Sequence, residues 1–364
     1  MVCTSHYKHE GDWKEVCDIY VKHEDTWKTA CAGWVKNEGS WEQFYATNEL
    51  SVDFLVVAGG GGGGANGNGY DPSGGGGGAG GFRASVGVAD TSGRGSEPES
   101  ALSLEVGVTY TVEVGGGGDG SNGDYSHGKT GTNSILGPIT SLGGGGAGYY
   151  GSTSYSGGSG GGKPGNGGRG CGTANQGHDG NVGGSQGAGG GGAGGTSLGC
   201  TGGIDSGSQN GGDGLICDIT GIATYYAGGG GTYGGDGGIG GGGDGGYQSQ
   251  CGPSRNFSGS TPLAAVYGVA NTGGGGGGSG NICAQGRSPN NSGVGNGTTR
   301  AGNGGSGIVI FRVPSYYRAT FSGGMTVNGQ SSPSSFSPSP DVAVSGFNIY
   351  SVTQGVGSFT LGFA

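Results

Sequence analysis

The chain has 364 residues, of which 105 are Gly; 11% of its residues are charged, and its formal net charge is −10. An acidic chain lacks the basic surface that nucleic-acid binding requires, and no apolar stretch reaches the roughly 20 residues of a membrane-spanning helix. The low charge content, together with 17 Tyr, 10 Phe and 4 Trp, also disfavours the disorder that so much glycine would otherwise indicate.

The first predicted unit, residues 1–49, contains a repeat of 14 residues. Trp13, Trp27 and Trp41 stand 14 residues apart, and each follows a turn-forming triplet such as Glu-Gly-Asp or Glu-Gly-Ser. A short strand, a tight turn and a second strand are typical of a β-hairpin, so we expect three hairpins. Hairpins this short bury too little surface to be stable alone. We therefore expect an attachment stalk that binds a partner or further copies of itself.

The aromatic residues of this unit allow a second interpretation. Trp13, Tyr20, Trp27, Trp34 and Trp41 are spaced by seven residues, which is the heptad spacing of a coiled coil. Half of the companion positions are polar or charged, however, and glycines interrupt the segment. We favour hairpins, and we take these five aromatics as candidates for attachment or oligomer contacts, with a homotrimer as the favoured assembly.

The second predicted unit, residues 50–313, alternates strand-like segments with runs of glycine. The glycine runs include Gly59–Gly64, Gly74–Gly78 and Gly273–Gly278, and no segment of useful length has the period of an amphipathic helix. The strand-like segments are rich in Val, Ile, Thr, Tyr and Phe. They are residues 51–58, 81–89, 101–114, 133–142, 214–227, 263–270 and 307–313. A third unit, residues 314–364, is rich in Ser, Thr and aromatics, and we expect a further β module there.

Glycine runs can fold if their backbones bond to one another. In the polyproline II conformation a chain has three residues per turn and no internal hydrogen bonds, so its N–H and C=O groups point outward. Helices of this kind can satisfy one another side by side, but their close approach leaves no room for a Cβ. A run of six residues would span about 19 Å at roughly 3.1 Å per residue. We therefore predict a lattice of polyglycine II helices whose ends are anchored by a β-sandwich.

Four segments of the second unit resemble a known domain. They are FLVVAGGGGGGANG (Phe54–Gly67), YTVEVGGGGDG (Tyr110–Gly120), SLGGGGAG (Ser141–Gly148) and GGSGIVIFRV (Gly304–Val313). In this order they resemble the glycine-rich domain of tail-fibre, adhesin and minor tail proteins of tailed bacteriophages, and the 14-residue repeat is similar to repeats that precede such domains. The resemblance implies an all-β fold, in which a β-sandwich of jelly-roll or TNF-like type holds the polyglycine II lattice after the short β-hairpin repeats. It also implies a role in host attachment.

These features together predict a non-enzymatic phage tail-fibre or adhesin protein in the virion tail. Because the N-terminus has no hydrophobic signal segment, we expect synthesis in the host cytoplasm. The expected partners are a host cell-surface glycan or outer-membrane protein and other virion tail proteins, without nucleic acid and without membrane insertion. One alternative is a purely structural subunit of a fibre, a capsid decoration or an extracellular filament. Another is an ice-binding protein, which the irregular glycine runs disfavour.

Tyrosines beside small polar residues are the candidate receptor contacts. Tyr among Gly, Ser and Thr makes rigid and adaptable contact surfaces, as in antibody paratopes. The alternative is that these rings cover lattice edges or pack into the sandwich. The candidates are Tyr149, Tyr150, Tyr155, Tyr225, Tyr226, Tyr233 and Tyr247. The segments 149–155 and 225–233 lead among them.

No motif of the sequence predicts a catalytic residue, a cofactor or a metal. Gly123–Thr130 (GDYSHGKT) fits the phosphate-binding pattern Gly-x4-Gly-Lys-Thr, but no helix is predicted after it. Asp236 and Asp244 do not keep the nine-residue spacing of the calcium-binding glycine repeat. The eight cysteines include no Cys-x-x-Cys pair, and without a secretion signal we favour free thiols over disulfides.

Overall fold

A computed structural model gives the structure of the chain. It describes residues 49–65, 74–86, 91–122, 126–183, 187–195, 209–246, 264–280 and 300–364 in full, and residues 6–46 only as the backbones of six strands. The chain forms two compact units, residues 1–51 with 103–106 and residues 52–102 with 107–364. Among the described residues there is no α-helix, and the one helical element is a 3₁₀ turn at Gly93–Gly95. The all-β prediction is therefore confirmed.

In the first unit, the described residues form three two-stranded antiparallel sheets. The strands are β1 (His6–His9), β2 (Asp12–Glu15), β3 (Tyr20–His23), β4 (Thr26–Thr29), β5 (Ala32–Asn37) and β6 (Ser40–Ala46). A lysine stands opposite a tryptophan in every pair: Lys8 opposite Trp13, Lys22 opposite Trp27, and Lys36 opposite Trp41. The 14-residue repeat therefore forms hairpins, and the coiled-coil interpretation is wrong.

The other described strands form two large antiparallel sheets and a small one. They are β7 (Glu49–Val57), β8 (Phe82–Ala84), β9 (Leu102–Glu105), β10 (Thr109–Glu113), β11 (Ser134–Leu136), β12 (Ile139–Ser141), β13 (Leu215–Cys217), β14 (Thr224–Tyr226), β15 (Ile308–Pro314), β16 (Tyr317–Phe321), β17 (Thr326–Val327), β18 (Gln330–Ser331), β19 (Phe347–Gln354) and β20 (Val356–Phe363). The seven-stranded sheet has the order β18-β17-β19-β15-β7-β8, and β9 also pairs with β7. The five-stranded sheet has the order β12-β11-β10-β20-β16, and β13 pairs with β14.

The C-terminal strands complete both large sheets. β19 pairs with β15, and β20 lies between β10 and β16. The composition predicts a separate module in residues 314–364, whereas in the structure these strands belong to the same two sheets as strands from residues 50–313. The composition changes at this point because the glycine runs end there, while strand pairing continues beyond it.

Aromatic side chains from the two large sheets meet in one core. The ring of Phe311 in β15 lies 4.8 Å from that of Phe359 in β20, 6.1 Å from Phe321 in β16 and 5.3 Å from Tyr350 in β19, between centroids. All four side chains are buried. Buried rings in contact contribute both their large apolar area and a favourable ring–ring interaction. The strands are thus held together by an ordinary hydrophobic core.

The glycine runs are held instead by backbone hydrogen bonds that recur at every third residue. Every N–H from Ala58 to Gly64 donates to a carbonyl oxygen of another segment, with N···O distances of 2.8–3.1 Å. The N–H groups of Ala58, Gly61 and Gly64 donate to Gly81, Gly78 and Gly75, respectively. Those of Gly59 and Gly62 donate to Thr132 and Lys129, and those of Gly60 and Gly63 donate to Gly305 and Gly302. The acceptor numbers fall as the donor numbers rise, so these three neighbours run antiparallel to Gly59–Gly64, which we call the central run.

The carbonyl oxygens of the central run accept hydrogen bonds with the same period. The carbonyls of Gly59 and Gly62 accept from the N–H groups of Gly144 and Ala147, respectively. Those of Gly60 and Gly63 accept from Gly118 and Ser121, and those of Gly61 and Gly64 accept from Gly276 and Ser279. Here the numbers rise together, so these three neighbours run parallel to the central run. Six segments therefore surround the central run, and all of its backbone N–H and C=O groups are paired.

These six neighbours leave no room for side chains on the central run. A Cβ built on each of Gly59–Gly64 would lie closer than 3.0 Å to a backbone carbonyl oxygen of a neighbouring segment. Because that neighbour is backbone, it could move aside only by breaking hydrogen bonds. Gly116 differs from them, since it is exposed and a Cβ there would have only Thr132 Oγ1 nearby, at 3.9 Å.

One predicted strand has a different structure. The composition predicts a strand over residues 263–270, but the described residues 264–269 pair with no strand. The N–H of Val266 donates to Asp244, and three residues later the N–H of Val269 donates to Gly241, at 2.9 and 2.8 Å. This segment has therefore joined the three-residue bonding pattern of the glycine runs. Its β-branched residues suit any extended backbone, and its neighbours decide which extended structure forms.

We expect Gly61→Ala to destabilise the protein and Gly116→Ala to leave its stability nearly unchanged. The methyl group at position 61 would meet the backbone of Gly144 and Gly145, which should cost at least about 1–3 kcal/mol. At position 116 it would enter open space, so the expected change is about 0.5 kcal/mol or less. Urea denaturation of both variants measures the difference. If all six positions of the central run accept Ala without loss, these glycines form only a loop.

Candidate functional site

One end of the glycine segments is joined to the strands. β7 leads directly into Ala58, whose N–H donates to the carbonyl of Gly81, the residue before β8. Gly307, the residue before β15, donates to Gly115, which follows β10 closely. Four strands thus enter or leave the glycine segments side by side, and we call this the strand end.

The opposite end of the glycine segments carries connections between them. Gly64 donates to Gly75, and Gly75 donates to Gly148, so these residues are neighbours. They border the connection of residues 149–154, and the described residues Ala65 and Gly74 lie at the same end. We call this the loop end. Because antiparallel and parallel segments both adjoin the central run, connections that are far apart in sequence leave from the same end.

The connection of residues 149–154 is fixed by hydrogen bonds of two serines. Ser152 donates to the carbonyl oxygen of Tyr149 from its backbone N, at 3.0 Å, and from its Oγ, at 2.6 Å. Ser154 Oγ accepts from the N–H of Gly148 at 2.8 Å and donates to the carbonyl of Gly162 at 2.6 Å. The turn is therefore attached to the glycine segments on both sides.

Three rings meet next to this turn, and we call them the ring cluster: His127, Tyr149 and Tyr155. The centroid of the His127 ring lies 5.0 Å from that of Tyr149, in a T-shaped arrangement, and 4.9 Å from that of Tyr155. Tyr155 is 48% exposed, while Tyr149 is half-buried. Beside the cluster, Asn166 Nδ2 donates to the Oη of Tyr150 at 2.7 Å. The loop end thus presents tyrosines whose positions are fixed by neighbouring side chains.

The ring cluster is close to electrically neutral. Burial lowers the pKa of His127 below its ordinary value of 6.5, so its imidazole is uncharged at neutral pH. Its Nδ1 is buried and has no hydrogen-bond partner among the described residues. Two residues along the chain, Lys129 Nζ donates to Asp119 Oδ2 at 2.7 Å. This hydrogen bond and the carboxylate charge raise the pKa of Lys129, and the two exposed charges offset each other.

The segment around His127 is not arranged as a phosphate-binding loop. The N–H groups of Gly128 and Lys129 donate to the carbonyl oxygens of Ala147 and Asp119. The next element is the strand β11, and a phosphate-binding loop needs open N–H groups at the start of a helix. Of the pattern Gly123–Thr130, residues 123–125 lie outside the described part.

Residues 37–314 match the family model of a glycine-rich domain. This chain belongs to the glycine-rich domain family. Neither a curated protein nor a solved structure matches it. The match confirms the glycine-rich domain that the sequence predicts, and its range ends with β15.

The other tyrosine candidates of the glycine-rich domain lie apart from the ring cluster. Tyr225 and Tyr226 belong to β14, where Tyr225 is exposed. Tyr226 is buried in a hydrophobic cluster with Cys217, so its prediction as a receptor contact is corrected: it packs into the core. Tyr233 is half-buried and lies in a turn, and Tyr247 lies outside the described residues.

Sequence reasoning did not identify His127 and Asn166 as site residues. The sequence places His127 only in the discounted phosphate-binding pattern. It meets Tyr149 because the N–H of Gly128 bonds to the carbonyl of Ala147, two residues before that tyrosine. No feature of the sequence indicates this hydrogen-bond register, because the glycine runs resemble one another in composition.

The aromatic candidates of the stalk are located only through their backbones. Trp13, Tyr20, Trp27, Trp34 and Trp41 belong to β2, β3, β4, β5 and β6, respectively. Their side chains lie outside the described part of the chain. Their role in attachment or oligomer formation stays a prediction.

Cysteine chemistry differs from the expectation at one position. Cys171 is disulfide-bonded, so the prediction of free thiols is wrong for this residue. Cys217 is free and buried, and its Sγ donates to the carbonyl of Val86 at 3.3 Å. Burial raises the pKa of the Cys217 thiol to about 11, which makes it unreactive at neutral pH. The other six cysteines lie outside the described residues.

The described residues contain no group of three or more His, Cys, Asp or Glu side chains that could hold a metal ion. In the same part of the chain, no helix is long and apolar enough to cross a membrane.

We expect His127 to contribute to a loss of stability in acid. Its pKa in the folded state is lowered, so as the pH falls through about 6.5 the unfolded chain binds the proton first and the folded state loses stability. Above that pH the group adds no pH dependence. His127→Gln, which cannot take up this proton, should lose less in Tm than the wild type between about pH 7 and about pH 5. Equal losses in the two proteins would contradict this assignment.

Proposed function

We propose that this chain is a non-enzymatic tail-fibre or adhesin protein of a bacteriophage, which presents the loop end of its glycine-rich domain to a host receptor. The observation that carries the proposal is the ring cluster: an exposed tyrosine beside a hydrogen-bonded turn, at the loop end. The resemblance of four segments to the glycine-rich domain of phage tail proteins supports the same function.

The finer fold that goes with this function is a polyglycine II lattice within a β-sandwich. A backbone with three residues per turn directs successive N–H groups in three directions. The three-residue recurrence of partners around the central run supports this conformation. The contacts of Phe311 with Phe359 and Phe321, which join the two large sheets, support the sandwich of jelly-roll or TNF-like type.

The expected assembly follows from this division of roles. The hairpins of residues 1–49 attach the chain to other virion tail proteins or hold its copies together, with a trimer favoured. The glycine segments act as a rigid spacer, and the loop end contacts a host-surface glycan or outer-membrane protein. A fixed backbone lowers the entropy lost on binding, which suits a contact surface that must work without refolding.

A second candidate function is that of a purely structural subunit in a fibre or filament. Val266, Tyr267 and Val269 are all exposed on one short segment. Exposed apolar residues close together mark surfaces where proteins associate. Under this alternative these residues would contact sister subunits, and the ring cluster would have no host ligand.

We expect the purified protein to show almost no helix by circular dichroism and yet to resist protease across the glycine segments. Cleavage needs local opening, and opening the central run would break hydrogen bonds to six neighbours. The cleavage sites can be located by mass spectrometry after limited proteolysis. Rapid digestion within residues 58–64 would contradict an ordered lattice.

We expect the purified full chain to reduce adsorption of phage particles that carry it, because both compete for one receptor. Gly116→Ala, which we expect to stay folded, should retain this effect, and Gly61→Ala should lose it in proportion to the fraction of the protein that unfolds. The measurement is the fraction of phage left unadsorbed as the protein concentration rises. No competition at saturating protein would remove the receptor-binding function and favour the structural subunit.

A further inference from the structure

We propose that the ring cluster with its neighbours Tyr150 and Asn166 is a binding subsite for a neutral oligosaccharide. The inference rests on the proposed function and specifies its ligand. It commits to sugar as the ligand class, whereas the sequence leaves a glycan and an outer-membrane protein as alternatives.

The exposed aromatic surface of the ring cluster suits a sugar ring. Tyr155 is 48% exposed, and its ring contacts that of His127, with 4.9 Å between the centroids. A sugar ring has a face of C–H groups that packs on an aromatic face, and tyrosine adds a polar hydroxyl at the rim of that contact. A ring that is fixed before binding loses little conformational freedom when the sugar arrives.

Tyr150 and Asn166 offer hydrogen-bonding groups that suit sugar hydroxyls. Asn166 Nδ2 donates to the Oη of Tyr150 at 2.7 Å. A phenol that accepts one hydrogen bond keeps its own hydrogen for donation, and the Asn166 side-chain oxygen remains an acceptor. A donor and an acceptor side by side match adjacent sugar hydroxyls, each of which both donates and accepts.

The charged groups near the ring cluster are few. His127 is uncharged at neutral pH, and Lys129 is paired with Asp119 at 2.7 Å. Lys163, which follows the carbonyl that fixes the turn, donates to the carbonyl oxygen of Gly183 at 3.1 Å. None of these residues is an arginine, whose guanidinium could bind the carboxylate of an acidic ligand through two hydrogen bonds. Apart from the Lys163 ammonium, which is bound to a backbone carbonyl, the charges beside the ring cluster are paired, and this favours a ligand without charge.

The turn also restricts the size of the ligand. The hydrogen bonds of Ser152 and Ser154 fix the backbone between Tyr149 and Tyr155. A fixed turn of this length cannot wrap around a large epitope, but it suits the surface of one or two sugar rings. We expect weak binding at each site and a gain from several copies in the assembled particle.

The experiment is binding of the purified full chain to an array that carries neutral and acidic oligosaccharides. We expect binding to at least one neutral oligosaccharide, weakened about tenfold by Tyr155→Ala and by a smaller factor in Tyr150→Phe. Tyr316→Ala is the matched control, because Tyr316 is 45% exposed, close to the value of Tyr155, and lies between β15 and β16, outside the subsite. Thermal denaturation checks that each variant is folded, and Tyr150→Phe keeps the test valid if Tyr155→Ala does not fold.

Three results would overturn the inference: no binding to any neutral oligosaccharide, binding to acidic ones alone, or neutral-sugar binding unchanged in both Tyr155→Ala and Tyr150→Phe. The adsorption assay separates this failure from that of the proposed function. If the full chain still competes with phage while the array shows no neutral sugar, the receptor is an acidic glycan or a protein, and the adhesin function stands. If both assays are negative, the adhesin function falls as well.

Discussion

The structure depends on one constraint, the mutual pairing of glycine backbone groups without space for a Cβ. The central run has no side chains to bury, so the hydrophobic effect contributes little there, while ordering each residue costs roughly 1–2 kcal/mol. A buried N–H or C=O left without a partner would cost about 1–3 kcal/mol more. Because the partners come from six segments, a single hydrogen bond stabilises the fold only when the neighbouring segments are also in place. The glycine segments must therefore fold together. The hydrophobic core around Phe311 packs the strands that lead into and out of these segments.

The sequence predicts the local structure of this protein but not which of its segments pair with one another. Alternation of β-branched segments with glycine runs predicted an all-β chain, and the spacing of Trp13, Trp27 and Trp41 predicted the hairpins; both predictions are confirmed. Which glycine run lies beside which is not encoded in composition, because the runs are chemically alike. For the same reason the sequence could not show that residues 264–269 bond to glycine segments, nor that the strands after Val313 enter existing sheets.

The candidate site could likewise be predicted only in part from the sequence. Tyr149, Tyr150 and Tyr155 could be chosen from the sequence because tyrosine among small polar residues is typical of contact surfaces. Tyr226 fits the same description and is buried, since its side of β14 faces apolar neighbours. The partners that fix the exposed rings, His127 and Asn166, come from other connections, and only the hydrogen-bond register brings them there. The tyrosines of this surface are thus brought together by backbone hydrogen bonds of the glycine segments.

The almost complete absence of side chains from the central run also affects how stability changes with temperature. Unfolding apolar surface raises the heat capacity, whereas exposing peptide groups lowers it. The glycine segments expose mainly peptide groups when they unfold, so they add less to the heat-capacity change than a hydrophobic core of equal length. A smaller heat-capacity change flattens the curve of free energy of unfolding against temperature. We therefore expect a molecule whose stability varies little between cold and warm surroundings.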